Sequence, residues 1–272
     1  MMPATKISPF DIAAETYDKD FTRSKIGSLQ RQLVWQVLTP LLQSYPRPLN
    51  ILEINCGTGE DALQLAKAGH QVTATDASAQ MIKKARQKLC NAEPLANKPV
   101  FITCSFKQLI NFHFKEPFDL VISNFGGLNC IDEEEVVTLS KDLSRIMTRN
   151  GHLLLVVLSK FCLWEIVYFS LKGKFDIAFR RLKRSVPFNI DKHTMEIFYY
   201  SPRKIIKLFK PSFSLVRLSP VGLVIPPSYF ESIFLKRPRL LQSLNHLEKK
   251  AGLPLFSFLA DHYCVVLNKN KL

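Results

Sequence analysis

The sequence predicts an α/β protein built on a doubly wound, mostly parallel sheet of about seven strands, with helices on both faces. Two observations predict this fold. Strand-like segments recur five times between residues 50 and 158, separated by helices or short turns. They are almost continuously apolar, which is typical of parallel strands covered on both faces. With 272 residues, the chain has room for N-terminal helices and an inserted cap in the same domain.

Residues 8–45 are predicted to be helical. A short helix opens near Asp11, and a longer one at residues 26–42 carries apolar residues at spacings of three and four. Prolines then break the helical pattern. The elements that follow are expected as strands at 51–54, 70–76, 99–105, 117–125 and 152–158, and as helices at 59–69, 77–89 and 132–147.

The pattern changes after residue 159, where the chain becomes aromatic and then basic. The elements expected there are a helix at 161–185, a strand at 193–201, a helix at 202–210, a strand within 213–225, a helix at 228–250 broken at Pro238, and a last strand at 261–269. We expect these strands to extend the sheet. The intervening segments, at about 160–212 and 221–258, are long enough to form a cap.

Charge is distributed unevenly along the chain. The net charge is +14, but residues 1–158 hold 17 Lys and Arg against 16 Asp and Glu, whereas residues 159–272 hold 20 against 7. Such asymmetry can mark an anionic partner, which would be a substrate, a membrane surface or nucleic acid. A basic surface with no specific partner is the other interpretation.

The six cysteines contain no C-x-x-C pair, so neither a thiol redox pair nor a zinc site is expected, and no metal is predicted. The N-terminal residues lack the apolar segment of a signal peptide. Lys160 and Glu165 interrupt the most apolar window, 151–171, which disfavours a spanning helix. A cytoplasmic location is the expectation.

The turn after the first predicted strand is the most informative segment. Gly57 and Gly59 allow a tight turn that can approach a ligand, and the next helix offers its free N–H groups. Glu53 lies inside the strand, and Asp76 ends the second strand 23 residues later. An acid at that position can bind both ribose hydroxyls of an adenosine. An acid inside the first strand needs a different partner, and a cationic amino-acid group would be one.

With these features the sequence resembles the class I S-adenosylmethionine-dependent methyltransferases of the small-molecule type. Their first motif, approximately E/D-x-G-x-G-x-G, stands here as Glu53-Ile54-Asn55-Cys56-Gly57-Thr58-Gly59. Asn55 replaces the first glycine, and Asn tolerates a left-handed backbone well. The segment Phe10-Asp11-Ile12-Ala13-Ala14-Glu15-Thr16-Tyr17-Asp18 resembles the F-D-x-I-A-x-x-Y-D opening of these enzymes. The resemblance covers about residues 8–158.

The resemblance implies a Rossmann-like fold and S-adenosyl-L-methionine as cofactor. It implies that Asp76 holds the ribose, that Ala77 and Met81 line the adenine slot, and that Tyr17 lies over the cofactor. Ser105 stands where the family often has an acid. The implied cofactor-binding set is Tyr17, Glu53, Asn55, Cys56, Gly57, Gly59, Asp76, Ala77, Met81, Ser105, Phe106, Asn124 and Phe125.

One methyltransferase domain, residues 1–272, is therefore expected. It would have a helical lid at 1–45, a cofactor-binding core at 46–158, and the rest of the sheet with an inserted substrate cap at 159–272. In-line methyl transfer needs no strong base when the acceptor is already nucleophilic. If a base is used, the candidates are His193, Glu196, His262 and Asp132, none of which stands out.

The expected acceptor is a small hydrophobic metabolite. The sequence leaves open whether this metabolite also carries an anionic group. The aromatic and basic cap suits such a molecule, and peripheral membrane contact through the cap is also open. Nucleic acid is disfavoured because Asn124-Phe125-Gly126-Gly127 replaces the N/D-P-P-Y/F turn used on exocyclic base amines. Two alternatives remain: a nicotinamide-dependent oxidoreductase, which Glu53 and Asn55 disfavour, and a non-catalytic cofactor-binding protein of the same fold.

Overall fold

The computed structural model describes residues 8–190 and 193–270, and its centre is a seven-stranded sheet. In chain order these strands are β1 (Asn50–Ile54), β2 (Gln71–Asp76), β3 (Val100–Thr103), β4 (Phe118–Ser123), β5 (Met147–Leu158), β8 (Phe213–Val221) and β9 (His262–Lys269). Their order in the sheet is β3-β2-β1-β4-β5-β9-β8. Strands β1 to β5 are parallel, and β9 runs antiparallel to both β5 and β8. The predicted fold class is confirmed.

Helices cover both faces of this sheet. They are α1 (Pro9–Ala13), α2 (Lys25–Gln43), α3 (Glu60–Lys67), α4 (Ala79–Cys90), α5 (Glu133–Ile146), α6 (Leu163–Leu171), α7 (Phe175–Ala178), α8 (Pro202–Phe209), α9 (Glu231–Leu235) and α10 (Pro238–Glu248). One apolar core joins α2, α3 and α4 to the face that includes Ile51, and the other joins α5 and α8 to the face that includes Leu52 and Ile54. Since side chains alternate along a strand, Glu53 lies on the Ile51 side.

Side chains cap the N-terminal ends of two helices beside this sheet. Ser78 caps α4, its hydroxyl accepting from the Met81 N–H. Asp132 forms a capping box with Glu135 at the start of α5, so this candidate base has a structural role. Because β1 to β4 are parallel, the carboxyl ends of β2 and β4 lie at one edge of the sheet, where ligands of doubly wound folds bind.

The N-terminal segment lies across this edge. It consists of α1, a π-helical turn at Asp18–Thr22, and α2. Side chains attach it to the core: the Ser78 hydroxyl donates to Asp11 (2.6 Å), and the Thr58 hydroxyl donates to Asp18 (2.6 Å). Lys88 also pairs with Asp18. The segment is therefore packed over the glycine turn.

The segment after β5 departs from expectation. The helix predicted at 161–185 is divided into α6, α7 and a 3-10 turn at Arg180–Leu182, because Gly173 takes a left-handed φ of 69° and ends α6. Strand β7 (His193–Ile197) does not extend the main sheet as expected. It pairs instead with β6 (Val186–Ile190), and the two form a separate antiparallel hairpin.

Among the described residues, no helix is both long and apolar enough to cross a membrane.

Candidate functional site

A cavity of about 270 Å³ opens at the carboxyl edge of the sheet, beneath the N-terminal segment. The end of β2 and the loops after β1, β2, β3 and β4 line it, and α1 and β7 close it from above through Phe10 and Met195. The structure brings these predicted cofactor residues to its wall: Tyr17, Asn55, Gly57, Asp76, Ala77, Met81, Ser105, Phe106, Asn124 and Phe125.

Asp76 stands at the end of β2 and holds the glycine turn in place. Its Oδ2 accepts from the Gly57 N–H and its Oδ1 from the Ser78 N–H, both at 2.9 Å. Burial raises the pKa of the Asp76 carboxyl, although both backbone donors oppose that rise. Each oxygen still has a lone pair available, so the carboxylate can accept further hydrogen bonds from a ligand.

Asn55 occupies the position of the missing glycine with φ 52°, the left-handed conformation expected of it. Its side chain links the ends of two strands: Nδ2 donates to the Asn124 carbonyl (2.7 Å), and the Ser123 hydroxyl donates to Oδ1 (2.6 Å). The turn therefore keeps its shape, and the side chain is directed toward β4 and Gly127.

A small extension of the site, about 20 Å³, lies on the other side of the glycine turn. Glu53 and Cys56, which do not reach the main cavity, line this extension. Glu53 is buried, and its Oε2 has no hydrogen-bond partner among the described residues. Burial, and then the nearby Asp61 carboxylate, raise the pKa of Glu53 well above its ordinary value.

Sequence reasoning missed the charged pair beside Glu53. Arg31 of α2 forms an ion pair with Asp61 of α3, and Asp61 also accepts from the Trp35 indole (2.8 Å) and the Asn124 amide (2.8 Å). The Arg31 Nε has no partner among the described residues. A signal was present in the sequence, because Arg31 precedes buried Val34 and Leu38 by three and seven positions and so shares their helix face.

Tyr17 and Gly59 shape the glycine turn in different ways. The Tyr17 ring lies 3.6 Å from the position that a β-carbon added to Gly57 would occupy. Burial raises the pKa of the Tyr17 hydroxyl to about 12. Gly59 does not line the cavity. A β-carbon there would lie 2.7 Å from the Phe101 ring, so this glycine allows close packing of the turn against β3.

None of the candidate bases lines the cavity. His193 and Glu196 lie on the hairpin strand β7. His262 is buried behind Phe125, with 5.7 Å between the ring centroids, and its Nδ1 is 3.0 Å from Asp261. The polar groups that do reach the wall include Ser105, Lys107 and Cys130, and burial raises the pKa of the Cys130 thiol to about 12.

A second buried cluster lies away from the cavity and ties α6 to the sheet. Cys162, Glu165 and Asp261 are close enough together to resemble a metal-binding group. Arg181, however, lies between the two carboxylates, and its Nη2 donates to Glu165 and Asp261 at 2.6 Å each. A guanidinium thus already balances the charge that a metal would balance.

Comparison with known proteins agrees with this geometry. Residues 51–151 match a family model described as a methyltransferase domain. The chain is 32% identical over 114 residues to a tRNA 5-carboxymethoxyuridine methyltransferase of Escherichia coli (strain K12), covering 42% of this chain and 43% of that protein. It is 31% identical over 124 residues to the putative methyltransferase YqeM of Bacillus subtilis (strain 168), covering 45% and 48%. The chain thus spans less than half the length of the curated relatives it matches.

Solved structures share the fold over nearly the whole chain. Magnesium protoporphyrin IX methyltransferase (ChlM) from Synechocystis PCC 6803, with bound SAH, superimposes with a TM-score of 0.58 at 18% identity, covering 93% of this chain and 87% of that one. The CcbJ methyltransferase from Streptomyces caelestis gives a TM-score of 0.61 at 13% identity, covering 96% and 98%.

The sheet order and the edge cavity define a Rossmann-like nucleotide-binding fold. The methyltransferase domain matched at 51–151 and the shared fold support the resemblance to the class I S-adenosylmethionine-dependent methyltransferases.

Proposed function

We propose that this chain binds S-adenosyl-L-methionine and transfers its methyl group in line to a small hydrophobic acceptor. One observation carries the proposal: two acidic positions flank the glycine turn, the half-buried Asp76 and the buried Glu53. Asp76 lies on the main cavity, and Glu53 lies on the small extension beside Arg31. That separation suits a ligand with a ribose at one end and an amino acid at the other.

The amino-acid end fits the group of charges in the extension. Glu53 has a buried oxygen that no described residue pairs with, and a ligand ammonium would supply both the hydrogen bond and the charge that this oxygen lacks. Within residues 8–190 and 193–270, the Arg31 Nε donor is also unused, and a ligand carboxylate could accept from it, while Asp61 holds the rest of the guanidinium. We therefore add Arg31 to the predicted cofactor residues.

The adenosine end fits the main cavity. Asp76 can accept from ribose hydroxyls with the lone pairs that Gly57 and Ser78 leave free. Ala77, Met81 and Phe106 give an apolar slot for a flat ring, and Ser105 supplies a hydroxyl at its edge. The roles predicted for Tyr17, Asn124 and Phe125 belong to the same proposal.

The chain's own residues would contribute positioning and exclusion of water. When bound, the cofactor supplies an electrophilic methyl group on a sulfonium sulfur. Tyr17 and Phe10 cover the cavity from the N-terminal segment, which we propose as the lid, and Met195 covers it from the hairpin of the proposed cap. Because none of His193, Glu196 and His262 lines the cavity, the acceptor we favour has an atom that is nucleophilic without a strong protein base.

The acceptor region is mainly apolar, and Lys107 is the cation that the described residues place at its margin. Phe10, Ile131 and Met195 line it, and Lys107 reaches it while paired with Glu135 at 2.6 Å. An anionic group on the acceptor could compete with Glu135 for Lys107. A small hydrophobic metabolite, with or without a carboxylate, is the acceptor class we propose, and the cytoplasm is its proposed location.

Calorimetry and a transfer assay test the proposal. We expect S-adenosylhomocysteine to bind and NADH not to bind, and we expect label from methyl-labelled cofactor to enter a lipophilic metabolite extract. NADH binding alone would favour the oxidoreductase alternative. Binding of S-adenosylhomocysteine without transfer to any acceptor would favour the non-catalytic alternative.

A tRNA acceptor is the second candidate. It is favoured by the name of the Escherichia coli relative and by the basic C-terminal half. A base would need to leave its stack and enter a cavity that Phe10 and Met195 cover. Label transfer to bulk tRNA, rather than to the metabolite extract, would support this candidate over the first.

A further inference from the structure

A second apolar surface lies outside the cavity, along α6 and α7. Its members recur every four residues, all are exposed, and we call them the apolar stripe: Leu163, Val167, Leu171, Phe175 and Phe179. Leu171 is 84% exposed and Phe175 is 59% exposed. Leu163, Val167 and Leu171 share one face of α6 through their four-residue spacing, and Phe175 and Phe179 follow the break at Gly173. Exposed apolar residues are ordinary singly, but a group of them on one segment marks an interaction surface.

Helix α6 is apolar on more than one face. Trp164, Tyr168 and Phe169 pack against the core, and the apolar stripe is exposed. A surface helix normally exposes charged residues on the face away from the core. Here Glu165 is buried and accepts from Arg181 at 2.6 Å and from Arg180 at 2.9 Å, so the outward face of α6 is apolar.

The loop beside α6 enlarges this surface. The Leu163 N–H donates to the Leu259 carbonyl at 2.9 Å, which places the 3-10 helix Pro254–Phe258 next to the start of α6. Within and before that helix, Leu255 is 74% exposed and Leu253 is 62% exposed. The apolar stripe therefore has apolar neighbours on a second element.

Basic residues accompany the apolar stripe. Lys172, Lys174, Lys183 and Arg184 are exposed between and after its members, whereas Asp176 is the exposed acid among residues 160–185. Exposed apolar side chains with flanking Lys and Arg are the features by which a surface helix binds anionic membranes, because the apolar groups enter the acyl boundary and the cations meet the headgroups.

We propose that the apolar stripe and its basic neighbours dock the protein on the surface of a bilayer that contains anionic lipid. Charge complementarity decides between the possible partners. A second copy meeting the same face would bring like charges together, which disfavours association. A nucleic acid would use the cations but would leave aliphatic Leu and Val residues unused.

Vesicle sedimentation with the full chain tests this docking. We expect partition into an equal mixture of phosphatidylcholine and phosphatidylglycerol to be about tenfold stronger than into phosphatidylcholine alone, and to weaken with salt. The variant L171S/F175S should lose about tenfold in partition to both. The variant K174Q/R184Q should remove most of the preference for the anionic vesicles.

Val100 provides the matched control. It is 55% exposed on β3, at the other edge of the sheet, so V100S removes an exposed apolar side chain without touching the apolar stripe. V100S should bind vesicles like the parent, and unfolding curves should show all variants folded. Equal, weak partition into both vesicle types would overturn the proposal, as would equal losses in V100S and L171S/F175S. A dimer that L171S/F175S abolishes, without vesicle binding, would assign the face to a second copy.

Discussion

The side chain of Asn55 occupies the space that a β-carbon on Gly127 would need. Such a β-carbon would lie 2.1 Å from the Asn55 Cγ, which is far inside van der Waals contact. The two residues come from the turn after β1 and from the loop after β4, and they are 72 positions apart in the chain. The replacement of a motif glycine by Asn at position 55 is thus accommodated by a glycine across the site.

This relationship predicts strong coupling between the two positions. Gly127→Ala should destabilise the protein by about 1–3 kcal/mol through overpacking. Asn55→Gly in the same chain should recover most of that loss, because it removes the side chain from the clash. Urea unfolding of both single variants and the double variant gives the coupling energy. Gly252→Ala, where no atom of the described part of the chain lies within 4 Å of the added carbon, is the control. Simple additivity would contradict the prediction.

Glu53 predicts an unusual dependence of stability on pH. Its folded pKa is raised above the ordinary value of 4.5, chiefly by burial, so the folded state holds the proton more tightly than the unfolded state. The contribution to stability is therefore complete below that value and is lost as pH rises through the folded pKa. Glu53→Gln should remove this decrease in unfolding free energy with rising pH. The decrease amounts to about 1.4 kcal/mol for each unit by which the folded pKa is raised, and unfolding curves of the ligand-free protein at several pH values measure it.

The same variant should bind S-adenosylhomocysteine more weakly, since an amide cannot neutralise an ammonium. Glu93→Gln, at an exposed position, should change neither property. A Glu53→Gln protein that lost stability at alkaline pH relative to the parent would show that the buried carboxyl is not the source of the effect.

Asp76 should contribute directly to nucleoside affinity. Asp76→Asn removes the charge while keeping one acceptor, and the loss of charge-assisted hydrogen bonds, about 1.5–3 kcal/mol, corresponds to roughly tenfold to 150-fold weaker binding. Calorimetry with S-adenosylhomocysteine measures the change. Asp20→Asn, at an exposed position in the N-terminal segment, is the control. An Asp76→Asn protein that is folded and binds as tightly as the parent would remove the basis of the cofactor assignment.

Substitutions of Arg181 and Arg180 should differ sharply in the stability they cost, although the two residues are adjacent in the chain. Arg181 is buried between Glu165 and Asp261, so Arg181→Met leaves two buried carboxylates poorly compensated and should cost about 3–5 kcal/mol. The Arg180 side chain is 34% exposed and pairs with Glu165, which Arg181 also satisfies. Arg180→Met should therefore cost less than about 1 kcal/mol. Equal losses in thermal or urea unfolding would contradict the role assigned to Arg181.

Part of the fold was readable from single segments. The periodicity of α2 and the apolar strands β1 to β5 are local properties, and each appears close to its predicted position. The segment 161–185 could not be predicted in this way. Its helix ends at Gly173, and β7 pairs with β6, while β9 and β8 occupy the sheet beyond β5. Sheet neighbours of that kind are set by pairing across the whole chain.

The sequence by itself determined the glycine turn, the two acids 23 positions apart and the doubly wound sheet, because spacing and periodicity act within one or two elements. The tertiary structure alone decided that Arg31 and Asp61 stand beside Glu53, that Gly127 makes room for Asn55, and that the candidate bases lie away from the cavity. Those relations join residues from separate helices, strands and loops. Packing sets them, and burial then sets the charge state of the groups it encloses.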